Sequence, residues 1–214
     1  MQDMDPIQII FYILVLVFSV VIHEVAHGLA ARQLGDRTAE GEGRLTLNPI
    51  PHLDLFGSIL VPGLLIIAQS PFLIGWAKPV PYNPYNFYDT AFIRKWGEAL
   101  VAVAGPVSNM IIFLVFGLFL RFFGDSLIGT AFEPSLLIIN MVVIVNIVLV
   151  VFNLVPIAPL DGSKILFALL PRSLSYVRDF LEQYALILAL FFIFFLWDFV
   201  SPLIGVVYGL VLGL

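Results

Sequence analysis

Apolar residues fall in blocks too long for the helices of a soluble protein. Residues 55–77, 99–120 and 134–160, runs of 23, 22 and 27 positions, carry no charged side chain. A helix of roughly 20 apolar residues crosses ~30 Å of hydrocarbon, so each run is long enough to span a bilayer. The pattern predicts a first helix from Pro6 to about Leu34, clean spans over 98–123 and 135–155, a further one over 180–197, and an apolar tail to Leu214. Segment 53–77 differs, because Pro62-Gly63 and Ser70-Pro71 break it and the proline-rich stretch 78–87 follows; proline removes a helical donor, so no uninterrupted helix is expected there. Between helix 1 and this segment, residues 38–46 carry Gly41, Gly43 and the alternation Arg44-Leu45-Thr46-Leu47, which predicts a short β-hairpin. The expected fold is a single all-α polytopic membrane domain over residues 1–214. It should have about 4–6 transmembrane helices, a short β-hairpin and a re-entrant segment.

Composition sharpens this picture. The chain is 61% hydrophobic and 12% charged, with a mean hydropathy of +1.05, whereas soluble domains are about a quarter charged. A soluble enzyme, a nucleic-acid binder and a disordered chain are excluded, since none could keep so much apolar surface from water. The net charge of −5 is spread over loops without a basic block, so no nucleic-acid partner is expected. The first apolar run follows Asp3 and Asp5 rather than a basic residue and lacks a small-residue cleavage site, which reads as a retained span and not a signal peptide.

Basic residues set an orientation, because they favour the cytoplasmic side. If segment 53–77 dips in and returns, Arg32, Arg37, Arg44, Lys78, Arg94, Lys95, Lys164, Arg172 and Arg178 all lie inside and Arg121 alone lies outside. A full crossing would put Lys78, Arg94 and Lys95 outside, so the re-entrant reading is preferred. Trp76, Tyr82, Tyr85 and Tyr88 then read as an interfacial aromatic belt.

Helix 1 contains His23-Glu24-Val25-Ala26-His27. Histidines at i and i+4 share one helix face and can bind one metal ion, and the glutamate between them can act on an attacking water. Ionisable groups inside a span are costly and are kept chiefly for function, which disfavours a chance match. His23 lies 17 residues after Pro6, or ~25 Å at ~1.5 Å per residue, so the pair sits in the inner, cytoplasmic part of the bilayer. With no cysteine in the chain, any metal must be held by His, Asp or Glu. Catalytic zinc takes three protein ligands and leaves one position open. The third-ligand candidates are His52, Asp54 and Asp161. Asp161 ends the 27-residue uncharged run, which reaches the inner side just as it arrives. Asn109 and Asn146 read as interhelical hydrogen-bonding residues, and Gly28 and Gly105 as points of close helix approach. His52 reads as lining the mouth of the site or capping the re-entrant element, with direct metal contact the alternative.

At these residues the chain resembles the site-2 protease family of intramembrane zinc metalloproteases. Three signatures carry the resemblance: His23–His27 followed by Gly28, the Ala104-Gly105-Pro106-Val107-Ser108-Asn109 segment, and Asn153-Leu-Val-Pro156-Ile-Ala-Pro159-Leu160-Asp161-Gly162. Residues 48–57 and 75–81 look like the compact form without PDZ or CBS domains. The resemblance implies that His23, His27 and Asp161 ligate Zn2+, that Glu24 is the catalytic base, and that Asn153 binds the substrate peptide or stabilises the oxyanion. It implies a multi-pass protein of the cell membrane, its active site toward the cytoplasm, cleaving transmembrane helices of single-span membrane proteins. The rival readings are a metal transporter and a catalytically inactive helix-binding membrane protein. Transport would favour polar residues spread through several spans, and an inactive relative would lack Glu24.

Overall fold

A computed structural model describes residues 5–67 and 76–214. Helix α1 (Pro6–Gln33) begins where Asp5 accepts the Ile7 N–H at 3.1 Å, Gln8 accepts the Asp5 N–H at 3.3 Å, and Pro6 occupies the first turn, where its missing donor costs nothing. A single turn, α2 (Thr38–Gly41), and the short α3 (Val61–Ile67) follow. Helix α4 (Ala91–Leu127) is capped by the Thr90 hydroxyl, which accepts the Ile93 N–H at 3.2 Å. Helix α5 (Glu133–Asn153) returns beside it. Next come α6 (Asp161–Leu169), α7 (Ser175–Gln183), α8 (Ala185–Phe191), α9 (Trp197–Val200) and α10 (Pro202–Leu212).

Helix α4 is the hub, packing against α1, α5, α6 and α10. Its Phe113 joins Val143, Ile147 and Val151 of α5 and Val211 of α10 in one buried apolar cluster. Outward faces stay apolar: Phe122, Leu186, Phe199 and Leu210 are exposed, as lipid-facing residues would be.

Among the described residues three helices are long and apolar enough to cross a membrane, α1, α4 and α5. A fourth would require α7 and the helical run after it to count as one span, although the chain bends there by 75°. Among the described residues the count is thus three, or four with the bent pair taken as one span, against the expected 4–6. The expected span over 180–197 bends by 75° at Tyr184, where the polar α7 pairs its Arg178 and Glu182 with Glu98 and Lys164. At 11 residues, α10 is ~16 Å long at ~1.5 Å per residue, too short to cross alone.

The expected hairpin over 38–46 is also overturned, since the described residues contain no strand. Asp36 decides the local structure. Its carboxylate accepts the Thr38 N–H at 3.1 Å and the Thr38 hydroxyl at 2.6 Å, which starts a helical turn. Gly43, at φ +66°, ends it, and the Arg44 N–H closes on the Ala39 carbonyl at 2.9 Å. The alternation at 44–47 meets no partner strand; it turns Arg44 inward, leaving it 4% exposed.

Both ends of the broken segment meet. The Trp76 N–H donates to Gly57 O at 3.1 Å and the Lys78 N–H to His52 O at 2.9 Å, and the Ser58 hydroxyl donates to Trp76 O at 2.8 Å. The chain comes back to where it left, the closure a re-entrant element needs. The tip of that expected element, residues 68–75, lies outside the described residues.

Candidate active site

His23 and His27 lie one turn apart on the inner face of α1, both buried, and the first residue of α6 brings Asp161 against them. His23 Nε2 is 3.0 Å from His27 Nε2, and Asp161 Oδ2 is 3.1 Å from the first and 3.3 Å from the second. The other ring nitrogens are committed. His23 Nδ1 lies 2.6 Å from Asn109 Oδ1 and His27 Nδ1 2.7 Å from the Val101 carbonyl. Those oxygens only accept, so both Nδ1 atoms carry the proton and donate. With both rings neutral, as metal ligation requires, each aims a bare Nε2 lone pair at its neighbour and at a carboxylate oxygen, and that buried Oδ2 has no hydrogen-bond partner. Three lone pairs facing one another repel unless a cation lies among them. Tetrahedral zinc with bonds of about 2.0–2.1 Å spaces its ligands ~3.3 Å apart, so these three atoms fit zinc in number, type and spacing.

Three helices hold the triangle in place. The Asn109 amide donates to Asn146 Oδ1 at 2.7 Å and to the Ser19 carbonyl at 3.2 Å. Asn146 in turn donates to the Ser19 hydroxyl at 2.9 Å and the Val142 carbonyl at 2.8 Å. The carbonyls at the far end fix which end of each amide is nitrogen, and so fix the oxygen that meets His23. The network is the interhelical bonding expected of Asn109 and Asn146, and it ends on a candidate metal ligand. Gly105 supplies the fourth wall. A Cβ there would stand 2.5 Å from Nε2 of both histidines, so the position takes no side chain. Close approach was expected at Gly105, but to ring atoms as well as to a helix.

The remaining expected residues are placed differently. Glu24 is partly buried, and its Oε2 accepts the Val80 N–H at 2.8 Å. Asn153, the last residue of α5, donates its amide to the Leu149 carbonyl one turn back at 3.0 Å, and among the described residues no hydrogen bond joins it to the three candidate ligands. His52 is 1% exposed and lies outside the triangle; its Nε2 donates to the Thr46 carbonyl at 2.9 Å, while its backbone carbonyl receives Lys78, as a residue capping the re-entrant element would. Asp54 accepts the Gly57 N–H at 2.6 Å and serves as a helix cap.

Several contributors were missed in the sequence. Asp36, 1% exposed, accepts from the Asn83 N–H at 2.7 Å and the Asn86 amide at 2.8 Å, pinning the loop after the broken segment to the end of α1; Gly35-Asp36 was a readable turn signal. Burial alone would raise its carboxyl pKa, but these bonds and those from Thr38 hold it below the ordinary carboxylate value. Tyr82, stacked on Phe87 with ring centroids 6.2 Å apart, is pushed up to about 12 by burial and by the charges of Glu98 and Asp161, so it keeps its proton.

Residues 129–196 match the family model described as Peptidase family M50. The relative named "Putative zinc metalloprotease YwhC", from Bacillus subtilis (strain 168), is 37% identical over 204 residues, 92% of this chain and 84% of the relative. "Putative zinc metalloprotease Rip2" of Mycolicibacterium smegmatis is 28% identical over 145 residues, 67% of this chain and 51% of its own. "Zinc metalloprotease MJ0392" of Methanocaldococcus jannaschii is 33% identical over 87 residues, 41% of this chain and 24% of its own. No solved structure matches. A near-full-length relative at this identity and a cluster of the right donor chemistry agree: the chain belongs to peptidase family M50, the site-2 proteases, and is a zinc metalloendopeptidase of a membrane.

Proposed function

We propose that this enzyme cuts inside the bilayer, cleaving the transmembrane helix of another membrane protein, from a multi-pass domain whose site opens toward the cytoplasm. One observation carries the reading: three lone-pair donors meet at 3.0–3.3 Å, two of them on a helix long and apolar enough to cross a membrane. The nine-to-one distribution of basic residues supports the cytoplasmic side, and the contact of Trp76 with Gly57 and Ser58 supports a re-entrant element beside the site.

In this reading His23, His27 and Asp161 hold the metal. When bound, zinc supplies Lewis acidity toward the attacking water and the scissile carbonyl. Glu24 takes a proton from that water on Oε1, because Oε2 is already bonded to Val80, and gives it to the leaving amine nitrogen. Asn153 binds the substrate peptide or stabilises the oxyanion after its amide turns from Leu149. An intact substrate helix hides its carbonyls in hydrogen bonds, so a residue of poor helix propensity lowers the cost of exposing one by ~1–3 kcal/mol.

The test is cleavage of a single-span substrate by the full chain in liposomes, with zinc content measured alongside. Wild type should cut within the apolar segment, and faster when that segment holds a central Asn-Gly than when it is all Leu and Ala. Glu24→Gln should abolish cutting at unchanged zinc, while Asp161→Ala should lose both. Cleavage confined to the soluble flanks would refute the intramembrane reading, and full zinc occupancy in Asp161→Ala would remove that residue from the ligand set.

A further inference from the structure

Residues 78–81, Lys-Pro-Val-Pro, form a strap across α1 whose placement is held far more strictly than a connecting loop requires. Pro79 and Pro81 have no N–H, so across 79–81 the strap offers a single backbone donor, that of Val80. That donor goes to Glu24 Oε2 at 2.8 Å. Val80 precedes a proline, which keeps its backbone extended, and its side chain is 5% exposed. It seats in the notch that Gly28 leaves one turn beyond Glu24, where an added Cβ would come within 2.9 Å of Val80 Cγ1. The expected close approach at Gly28 is thus made to the strap and to Leu45.

Arg44 clamps the other side. Its Nη2 donates to the carbonyl of Lys78 at 2.8 Å and of Pro79 at 3.3 Å. The guanidinium is buried at 4% exposure, and Nε has no hydrogen-bond partner among the described residues. Desolvating a cation is costly, and here the return is the position of two strap carbonyls. His52, from the same loop, receives the Lys78 N–H on its carbonyl at 2.9 Å while its ring is tied to Thr46. Loop 44–52 therefore grips the strap at both backbone polarities, immediately before the residue that touches Glu24.

We propose that Arg44 and the Val80 N–H are positioning residues for Glu24: Arg44 fixes the strap, and the strap holds one oxygen of the Glu24 carboxylate so that the other faces the reacting water. This rests on the reading of Glu24 as the base. A glutamate has three side-chain torsions, and an orientation error of about 1 Å in a catalytic group can cost on the order of a hundredfold in rate. Anchoring Oε2 removes most of that freedom without using Oε1.

The experiment uses the full chain in liposomes with the Asn-Gly single-span substrate, reading kcat, KM and zinc content for Val80→Pro, Val80→Ala, Arg44→Met, Arg44→Lys, the Arg44→Met/Val80→Pro pair and Glu24→Gln. Val80→Pro deletes the N–H and should lower kcat by about ten- to a hundredfold, with KM changed by less than about twofold and zinc still at one per chain. Val80→Ala keeps the N–H and should keep most of kcat. Arg44→Met should lower kcat about tenfold and Arg44→Lys recover part of it, since an ammonium can still bond one carbonyl. The double variant should be no slower than Val80→Pro, because both changes act through one contact. Wild-type kcat in Val80→Pro beside an inactive Glu24→Gln would overturn the strap proposal alone. An active Glu24→Gln would instead overturn the base assignment. Equal losses in Val80→Ala and Val80→Pro would assign the effect to packing and overturn the proposal. Should Val80→Pro not fold, unchanged kcat in zinc-loaded Arg44→Met would do the same.

Discussion

His23 and Glu24 are neighbours in sequence, yet they are held in place by opposite means. His23 is oriented from inside the helix bundle, by Asn109 of α4, Asn146 of α5 and Ser19 of α1, with Asn109 and Asn146 both 0% exposed. Glu24 is oriented from the loop side, by a backbone donor on a strap that Arg44 grips. Within a single turn of helix, one side is set by buried side-chain hydrogen bonds and the next by the conformation of a connection. On the proposed roles, the side of the candidate ligands should answer to core substitutions by losing zinc, and the side of Glu24 to loop substitutions by losing rate while keeping zinc.

The largest expected contrast comes from the same substitution on the two sides. Gly105→Ala puts a Cβ 2.5 Å from Nε2 of both histidines, and those rings are pinned through Nδ1 and cannot step aside. Zinc affinity measured by competition with a chelator should fall by more than about a hundredfold, beyond the ordinary range for loss of a supporting bond. Gly28→Ala meets the methyl end of Leu45 at 2.5 Å and Val80 at 2.9 Å; side-chain ends can yield, so it should keep its zinc and lose part of kcat. Full zinc affinity in Gly105→Ala would break the comparison at its strongest point.

A smaller effect is expected at Asn109. Asn109→Leu leaves the His23 Nδ1–H without an acceptor, and loss of such a supporting partner commonly costs about 10–100-fold in metal affinity. Calorimetric zinc titration should show that loss, while the strap remains protected from hydrogen exchange. Loss of strap protection in this variant would mean that the two supports are one unit.

The smallest expected effect is with pH, at the strap's distal anchor. The Asp36 carboxyl is held below its ordinary value, so its contribution to the folded loop is complete above the usual aspartate pKa of about 3.9. It is lost only as pH falls through the lowered value. Exchange protection of residues 83–86 should stay level from neutral pH down to about 4 and decline in stronger acid, and Asp36→Asn should remove that decline. A decline between pH 5 and 7 would assign the loop's stability to some other group.

Local features of the site were readable where one element carries them. The His23–His27 spacing places two imidazoles on one helix face whatever the rest of the chain does, and three uncharged blocks announced the spans that became α4, α5 and part of the broken segment. Features that join distant elements were not readable in the same way. The alternation at 44–47 suggested a strand, but the residues after Asp36 form a helical turn and Arg44 is buried against the strap. Phe180 to Trp197 suggested one straight span, but the chain bends by 75° after α7, whose Arg178 and Glu182 pair with Glu98 and Lys164. Asn109 was legible as a hydrogen-bonding residue between helices, while its partner, 86 residues away, was not.

By itself the sequence determined a membrane-embedded chain with a two-histidine, one-glutamate helix. Apolar length and the 3.6-residue period are properties of a single segment. Asp161 was already implied as the third ligand by the resemblance. Tertiary structure alone decided that its Oδ2 meets both Nε2 atoms at 3.1 and 3.3 Å while His52 and Asp54 are bonded elsewhere, that both Nδ1 atoms donate, and that Glu24 meets Val80. Those outcomes depend on how α4 and α6 pack against α1 and on where the strap is fastened. Packing is set by side chains brought together from far along the chain, at separations where no local periodicity constrains them.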